Sequence, residues 1–129
     1  MIVLDTHALV WLAVSPERLG EQARESIAAE GDCAISTISA QEIAFLVMRR
    51  RIELDRPVAR WITDVMRVHE VHALAPTVSI AVRAGSLDAE TFPGDPADRL
   101  IYATAVEHGS RIASADRRLH AADPARVLW

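Results

Sequence analysis

Short apolar runs alternate along this chain with longer segments whose apolar residues recur every three or four positions. The runs Ile2-Val-Leu4, Cys33-Ala-Ile-Ser36, Val71 to Leu74, Arg111-Ile-Ala-Ser114 and Val127-Leu-Trp129 have the length and bulk of buried strands. The segments between them read as helices. The first runs from His7 behind a cap offered by Asp5 and Thr6, and Ser15-Pro16-Glu17 reads as the next helix start. Further helices are predicted over 21–29, 39–50, 57–69, 76–85, 97–108 and 116–121, with Gly31, Gly85 and Gly109 as stops. The stretch 86–96, with Gly, two Pro and three acidic residues, reads as a loop. Short strands without polar alternation, each followed by helix, predict a parallel sheet covered on both faces. The fold class expected is therefore α/β, a three-layer α/β/α sandwich with a short central parallel sheet.

Composition narrows this picture. At 129 residues, half of them apolar, the chain fits one domain over 1–129 with its own core. The lone Cys33 excludes an internal disulfide and suits a reducing compartment as a small buried residue. No apolar run reaches the ~18 to 20 residues that span a bilayer, and the first residues lack a secretory pattern. A cytoplasmic protein without membrane attachment is expected. The formal charge of −4 argues against coating nucleic acid with a broad basic surface. All fourteen cationic residues are Arg, which excludes any mechanism built on a catalytic lysine.

Four acidic residues then stand out. Asp5, Glu42, Asp98 and Asp116 each fall where a strand-like run gives way to a helix. In a parallel α/β sheet those junctions share the carboxyl edge, where such folds bind ligands. Each also has a local explanation. Ser39-Ala-Gln-Glu42 matches a capping box, Asp95-Pro-Ala-Asp98 an Asp cap with a favourable first-turn acid, and Asp5 and Asp116 ordinary turn or cap residues. Gathered in one cleft, the four would raise one another's pKa unless a cation joined them. An all-oxygen set without His or Cys favours Mg²⁺ or Mn²⁺ over zinc. Asp5 and Asp98 are the expected direct ligands, Asp116 completes the set directly or through water, and Glu42 holds a second ion or orients a water. Thr6 and Ser114 are placed to orient those carboxylates or to cap. His69 and His72 read as structural or solvated.

The blocks Ile2-Val-Leu-Asp5-Thr-His-Ala-Leu, Ile35-Ser-Thr-Ile-Ser-Ala-Gln-Glu42-Ile-Ala, Asp95-Pro-Ala-Asp98-Arg-Leu-Ile-Tyr-Ala-Thr-Ala and Ile112-Ala-Ser-Ala-Asp116 occur in one order across residues 2–116. In that order they resemble the PIN-domain ribonucleases, and more narrowly the VapC-type toxins of toxin–antitoxin pairs. The resemblance implies a Mg²⁺- or Mn²⁺-dependent endoribonuclease with Asp5, Glu42, Asp98 and Asp116 as its acidic set. It also implies an RNA substrate, inhibition by a cognate antitoxin protein, and frequent homodimerisation.

Helix 39–50 bears on partners. Ala40, Ile43, Ala44 and Val47 form a stripe for packing on the sheet, while Phe45, Leu46 and Met48 lie off it. Those three are either buried beneath helix 57–69 or line a groove for an antitoxin or second subunit. Arg49, Arg50, Arg51, Arg56, Arg60, Arg117 and Arg118 are candidate phosphate contacts or a solvated surface. Trp11, Trp61 and Trp129 read as packing residues. Two other functions fit part of the pattern. A Mg²⁺-dependent phosphoryl-transfer domain would want a lysine, and its phosphatase form an acid where His7 stands. A catalytically inactive binding module would keep the fold alone.

Overall fold

The computed structural model describes residues 1–129 and has five parallel strands in the order β3-β2-β1-β4-β5. These are β1 (Ile2–Leu4), β2 (Cys33–Ser36), β3 (Val71–Leu74), β4 (Arg111–Ala113) and β5 (Val127–Leu128). Seven α-helices connect them: α1 (Thr6–Val14), α2 (Glu21–Glu30), α3 (Ile38–Met48), α4 (Val58–Val68), α5 (Val78–Ser86), α6 (Pro96–Glu107) and α7 (Arg117–Ala122). The α/β architecture and the parallel sheet agree with the pattern read from the sequence.

Alternation along β1 sets the layers. Ile2 and Leu4 face one side, where they pack with Leu9 of α1, Ile43 of α3, and Trp61, Ile62 and Val65 of α4. Val3 faces the other, against Ile101, Tyr102 and Ala105 of α6 and Leu119 of α7. Helix α5 packs on the outside of α6 through Ile80, Ala84 and Ala103. Since β1 and β2 are buried along their whole length, their residues need no polar alternation. The Cys33 thiol is buried in β2, and desolvation pushes its pKa up to about 11, which leaves it inert. Trp61 is core; Trp11 packs against Trp129 in a tilted pair with ring centroids 5.4 Å apart.

Most boundaries fall within two residues of those expected, and the departures have local causes. Ser15-Pro16-Glu17 opens only one 3₁₀ turn, Pro16–Arg18, and α2 begins afresh at Glu21. Helix α5 starts at Val78 rather than Pro76 because Thr77 Oγ1 caps Ile80 N at 3.2 Å. Gly31 and Gly109 take left-handed backbone (φ 63° and 61°) where α2 and α6 end, as side chains rarely can. The capping box at Ser39 does not form. Helix α3 starts one residue earlier, the Ser36 hydroxyl accepts from Ile38 N at 3.4 Å, and Ser39 Oγ is buried without a partner. Glu42 is thereby released from any capping duty.

One expectation about order along the chain is corrected. Asp98 does not follow a strand. The chain leaves β3 into α5, passes through the 87–95 loop and enters α6, so the N-terminus of α6 reaches the carboxyl edge from outside the sheet. Helix α6 lies across β1, β2 and β4, which explains why its first turn still ends above the sheet centre.

Candidate metal centre

The chain leaves β1 for strands on one side, β2 and β3, and later returns for β4 and β5 on the other. Such a reversal opens a crevice at the carboxyl ends of the two central strands. Asp5 follows β1 and Asp116 lies just beyond β4, so they flank this crevice. The ladder extends one step further here, with Asp5 N donating to Ala113 O at 3.0 Å.

Both aspartates are caps, and the capping is what aims them. Asp5 Oδ1 accepts from Ala8 N at 2.7 Å, and Asp116 Oδ1 accepts from Leu119 N at 2.9 Å. A carboxylate has two oxygens, so engaging one in the first helical turn fixes the plane and leaves the other available. Capping and cation binding are therefore not alternatives here. Ser114 tightens the arrangement: its Oγ accepts from Asp116 N at 3.1 Å, and its hydroxyl is near enough to Asp5 to favour the ionised carboxylate.

Glu42 is half-buried in the second turn of α3, and Thr6 Oγ1 of α1 donates a hydrogen bond to its Oε1. From α6, Asp98 brings a carboxylate from the first turn. Carboxylate oxygens of Glu42, Asp95 and Asp98 lie within 4.8 Å of one another. Asp95 was not among the residues singled out from the sequence as a ligand. Its cap bonds to Ala97 N (2.8 Å) and Asp98 N (3.3 Å) account for it locally, and the packing of α3 beside it adds the Glu42 carboxylate as a neighbour. An acid three residues before Asp98, in a loop already rich in acids, was the one available signal.

Electrostatics bind the set together. Asp98 is pushed up to about 7, first by burial and then by the negative charges of Asp95, Glu42, Asp116 and Asp5. Asp5 is raised by burial, against the hydrogen bonds from Ser114 and Ala8 and the nearby His7, with Glu42 adding to the rise. Elsewhere carboxylates find cations, as in Arg56 with Asp55 and Asp64, Arg111 with Glu30, and Arg126 with Asp123. None of Asp5, Glu42, Asp95, Asp98 and Asp116 forms an ion pair, and of these Glu42, Asp95 and Asp98 are the three whose carboxylate oxygens lie within 4.8 Å of one another. Several carboxylates held close without a counter-charge form a site that a divalent cation fits, and the all-oxygen donors match a hard ion such as Mg²⁺ or Mn²⁺. His72, by contrast, faces Asp32 (3.4 Å) beside the amino end of β2 and takes no part.

Arg99, one residue past Asp98, holds the loop that carries Asp95. Its guanidinium donates to three carbonyls, Ala84 O (2.9 Å), Pro93 O (3.2 Å) and Leu87 O. Charge-assisted bonds contribute ~1.5–3 kcal/mol each when unshared with water. Arg99 is half-buried, so Arg99→Gln is expected to cost about 2–3 kcal/mol in urea unfolding, beyond the ±0.5 kcal/mol of an ordinary surface change.

Beyond the acids, helix α3 decides between the two readings of its outer face. Phe45 and Met48 are 49% and 70% exposed, so α4 does not cover them, and Ala44 of the supposed stripe is exposed too. Arg56 is committed to its two aspartates, whereas Arg49, Arg50, Arg51, Arg60 and Arg117 have no acidic partner.

Kinship agrees with this geometry. A family model described as the PIN domain matches residues 2–124. Ribonuclease VapC22 of Mycobacterium tuberculosis (strain ATCC 25618 / H37Rv) is 42% identical over 118 residues, 92% of this chain and 88% of that one. Among solved structures, a toxin–antitoxin complex from Klebsiella pneumoniae superposes with a TM-score of 0.69 at 20% identity, over 100% of this chain and 97% of that one. VapBC2 from Rickettsia felis, bound to a DNA fragment from its promoter, gives 0.68 at 14% identity, over 98% and 97%. Those two likenesses are of fold. With a family match along nearly the whole length and a relative 42% identical over 92% of it, the chain belongs to the PIN-domain family, among its VapC-type members.

Proposed function

We propose that this protein is a divalent-metal-dependent endoribonuclease and serves as the toxin of a toxin–antitoxin pair. The observation that carries the reading is the uncompensated acidic cluster at the carboxyl edge, in a chain 42% identical to a protein named a ribonuclease. Asp5, Asp98 and Asp116 hold Mg²⁺ or Mn²⁺, and Asp95 and Glu42 complete the negative wall. A bound divalent ion supplies charge neutralisation at the scissile phosphate and a lowered pKa for an attacking water. The protein's part is positional. Ser114 holds the Asp5 carboxylate, Thr6 holds Glu42, and Glu42 orients the water and takes up its proton. Water oxygen bonds to phosphorus as the P–O3′ bond breaks, leaving a 5′-phosphate and a 3′-hydroxyl. No serine or histidine nucleophile is needed.

The single domain 1–129 works in the cytoplasm, in keeping with the absence of any helix long and apolar enough to cross a membrane. A cognate antitoxin protein silences it by covering the cleft. A homodimer is the expected assembly, and exposed Val78 and Val82 on α5, 83% and 63% accessible, offer it one apolar face. To test the activity, purified protein is incubated with mixed RNA and Mn²⁺, with and without EDTA, beside Asp5→Asn. Cleavage lost in both the chelated and the substituted samples is expected. Cleavage that survives either would exclude the metal mechanism, and none under any condition would point to a binding module.

A further inference from the structure

Beside the acidic cluster lies a cavity of about 440 Å³, within the ~300–1,000 Å³ of small-ligand pockets. Glu42 and Asp95 line it together with Ile38, Gln41, Phe45 and Leu100. Half-exposed Phe45 is out of place as a core residue, and the Arg49 guanidinium sits 4.7 Å from its ring centroid. Arg49 continues into Arg50 and Arg51, none of them ion-paired.

We propose that this cavity is a nucleobase subsite, in which one unpaired base of a single-stranded RNA stacks on Phe45 beside the scissile phosphate. The inference rests on reading the acidic cluster as the phosphodiester-cleaving centre. The cavity shares Glu42 and Asp95 with that centre, so a phosphate engaged there brings an adjoining base to the aromatic wall. Gln41 offers an amide donor and acceptor to the base's polar edge. The unpaired Arg49-Arg-Arg51 run suits the flanking phosphates of a polyanion. A base inside a duplex cannot enter, so the subsite selects unpaired RNA.

Affinity for a short labelled single-stranded RNA is measured by fluorescence anisotropy in Mn²⁺. Every variant is made on Asp5→Asn so that the RNA survives; Asp5 does not line the cavity. Phe45→Leu is expected to weaken binding roughly tenfold, from the ~1–3 kcal/mol of base–aromatic stacking, and Phe45→Trp to preserve it within about twofold. An abasic nucleotide at one position of the RNA loses the same factor, and combining it with Phe45→Leu adds nothing further. Unchanged affinity in Phe45→Leu, or losses that add in full at every abasic position, overturns the subsite. Affinity lost only for a protein partner would overturn it as well and assign the cavity to a peptide. If the unsubstituted protein cleaves RNA while Phe45→Leu matches it in KM and kcat, the subsite alone falls. If it neither binds nor cleaves single-stranded RNA, both readings fall.

Discussion

Asp98→Asn is expected to remove RNA cleavage while making the metal-free protein more stable. Asp98 is pressed by burial and by four neighbouring negative charges until its pKa reaches about 7. At pH 8 it is nonetheless ionised, and the folded state carries the repulsion. Asparagine keeps the shape and a hydrogen-bonding oxygen but removes the charge. A shift from 3.8 to about 7 corresponds to ~4 kcal/mol, and screening by the water that still reaches Asp98 brings this to roughly 2 kcal/mol. In a domain of this size that amounts to about 7 °C in Tm, measured in EDTA. Cleavage should fall about a thousandfold, because the several kcal/mol of charge stabilisation an ion supplies depends on this ligand. A variant that is destabilised and still active would mean that Asp98 is an ordinary first-turn acid.

Metal and pH should also act on stability together. Between the usual carboxylate pKa and about 7, the folded state keeps the Asp98 proton and the unfolded chain has lost it. Stability then falls as pH rises, since the folded state binds more protons, and this group's contribution is fully lost above pH 7. A divalent ion competes with that proton. Thermal melts with and without Mn²⁺ should therefore show a small gain at pH 5 and a larger one, several degrees, at pH 8. The pH 8 gain should vanish in Asp98→Asn. An equal Mn²⁺ effect at both pH values would mean that the ion binds elsewhere.

How far all this was legible beforehand depends on the kind of signal. The position of Asp5 and Asp116 at the carboxyl edge was readable because an acid just beyond a buried strand has few places to point in a parallel sheet. Glu42 was readable as an acid but not in its aim. The capping-box pattern at Ser39 offered it a local partner, and only the early start of α3 and the Thr6 hydroxyl, 36 residues away, turned it to the cleft. Asp98 was expected at that edge for a partly mistaken reason, since α6 arrives through a loop and not from a strand. Asp95 was hidden by its own adequacy as a cap. The loop that carries it is held by Arg99 through backbone carbonyls, and such contacts leave no mark in a pattern of side chains. Exposure of Phe45 and Met48 could not be decided either, because an apolar helix face looks the same in sequence whether a neighbouring helix or solvent covers it.

The account depends on remote carboxylates meeting around one doubly charged ion. Crystals grown with Mn²⁺ and measured for anomalous scattering locate that ion directly. The expected map has a peak in direct coordination to both Asp5 and Asp98, with Asp116 beside it. A map with no peak between them, or one whose only strong peak lies among other residues, would contradict the account.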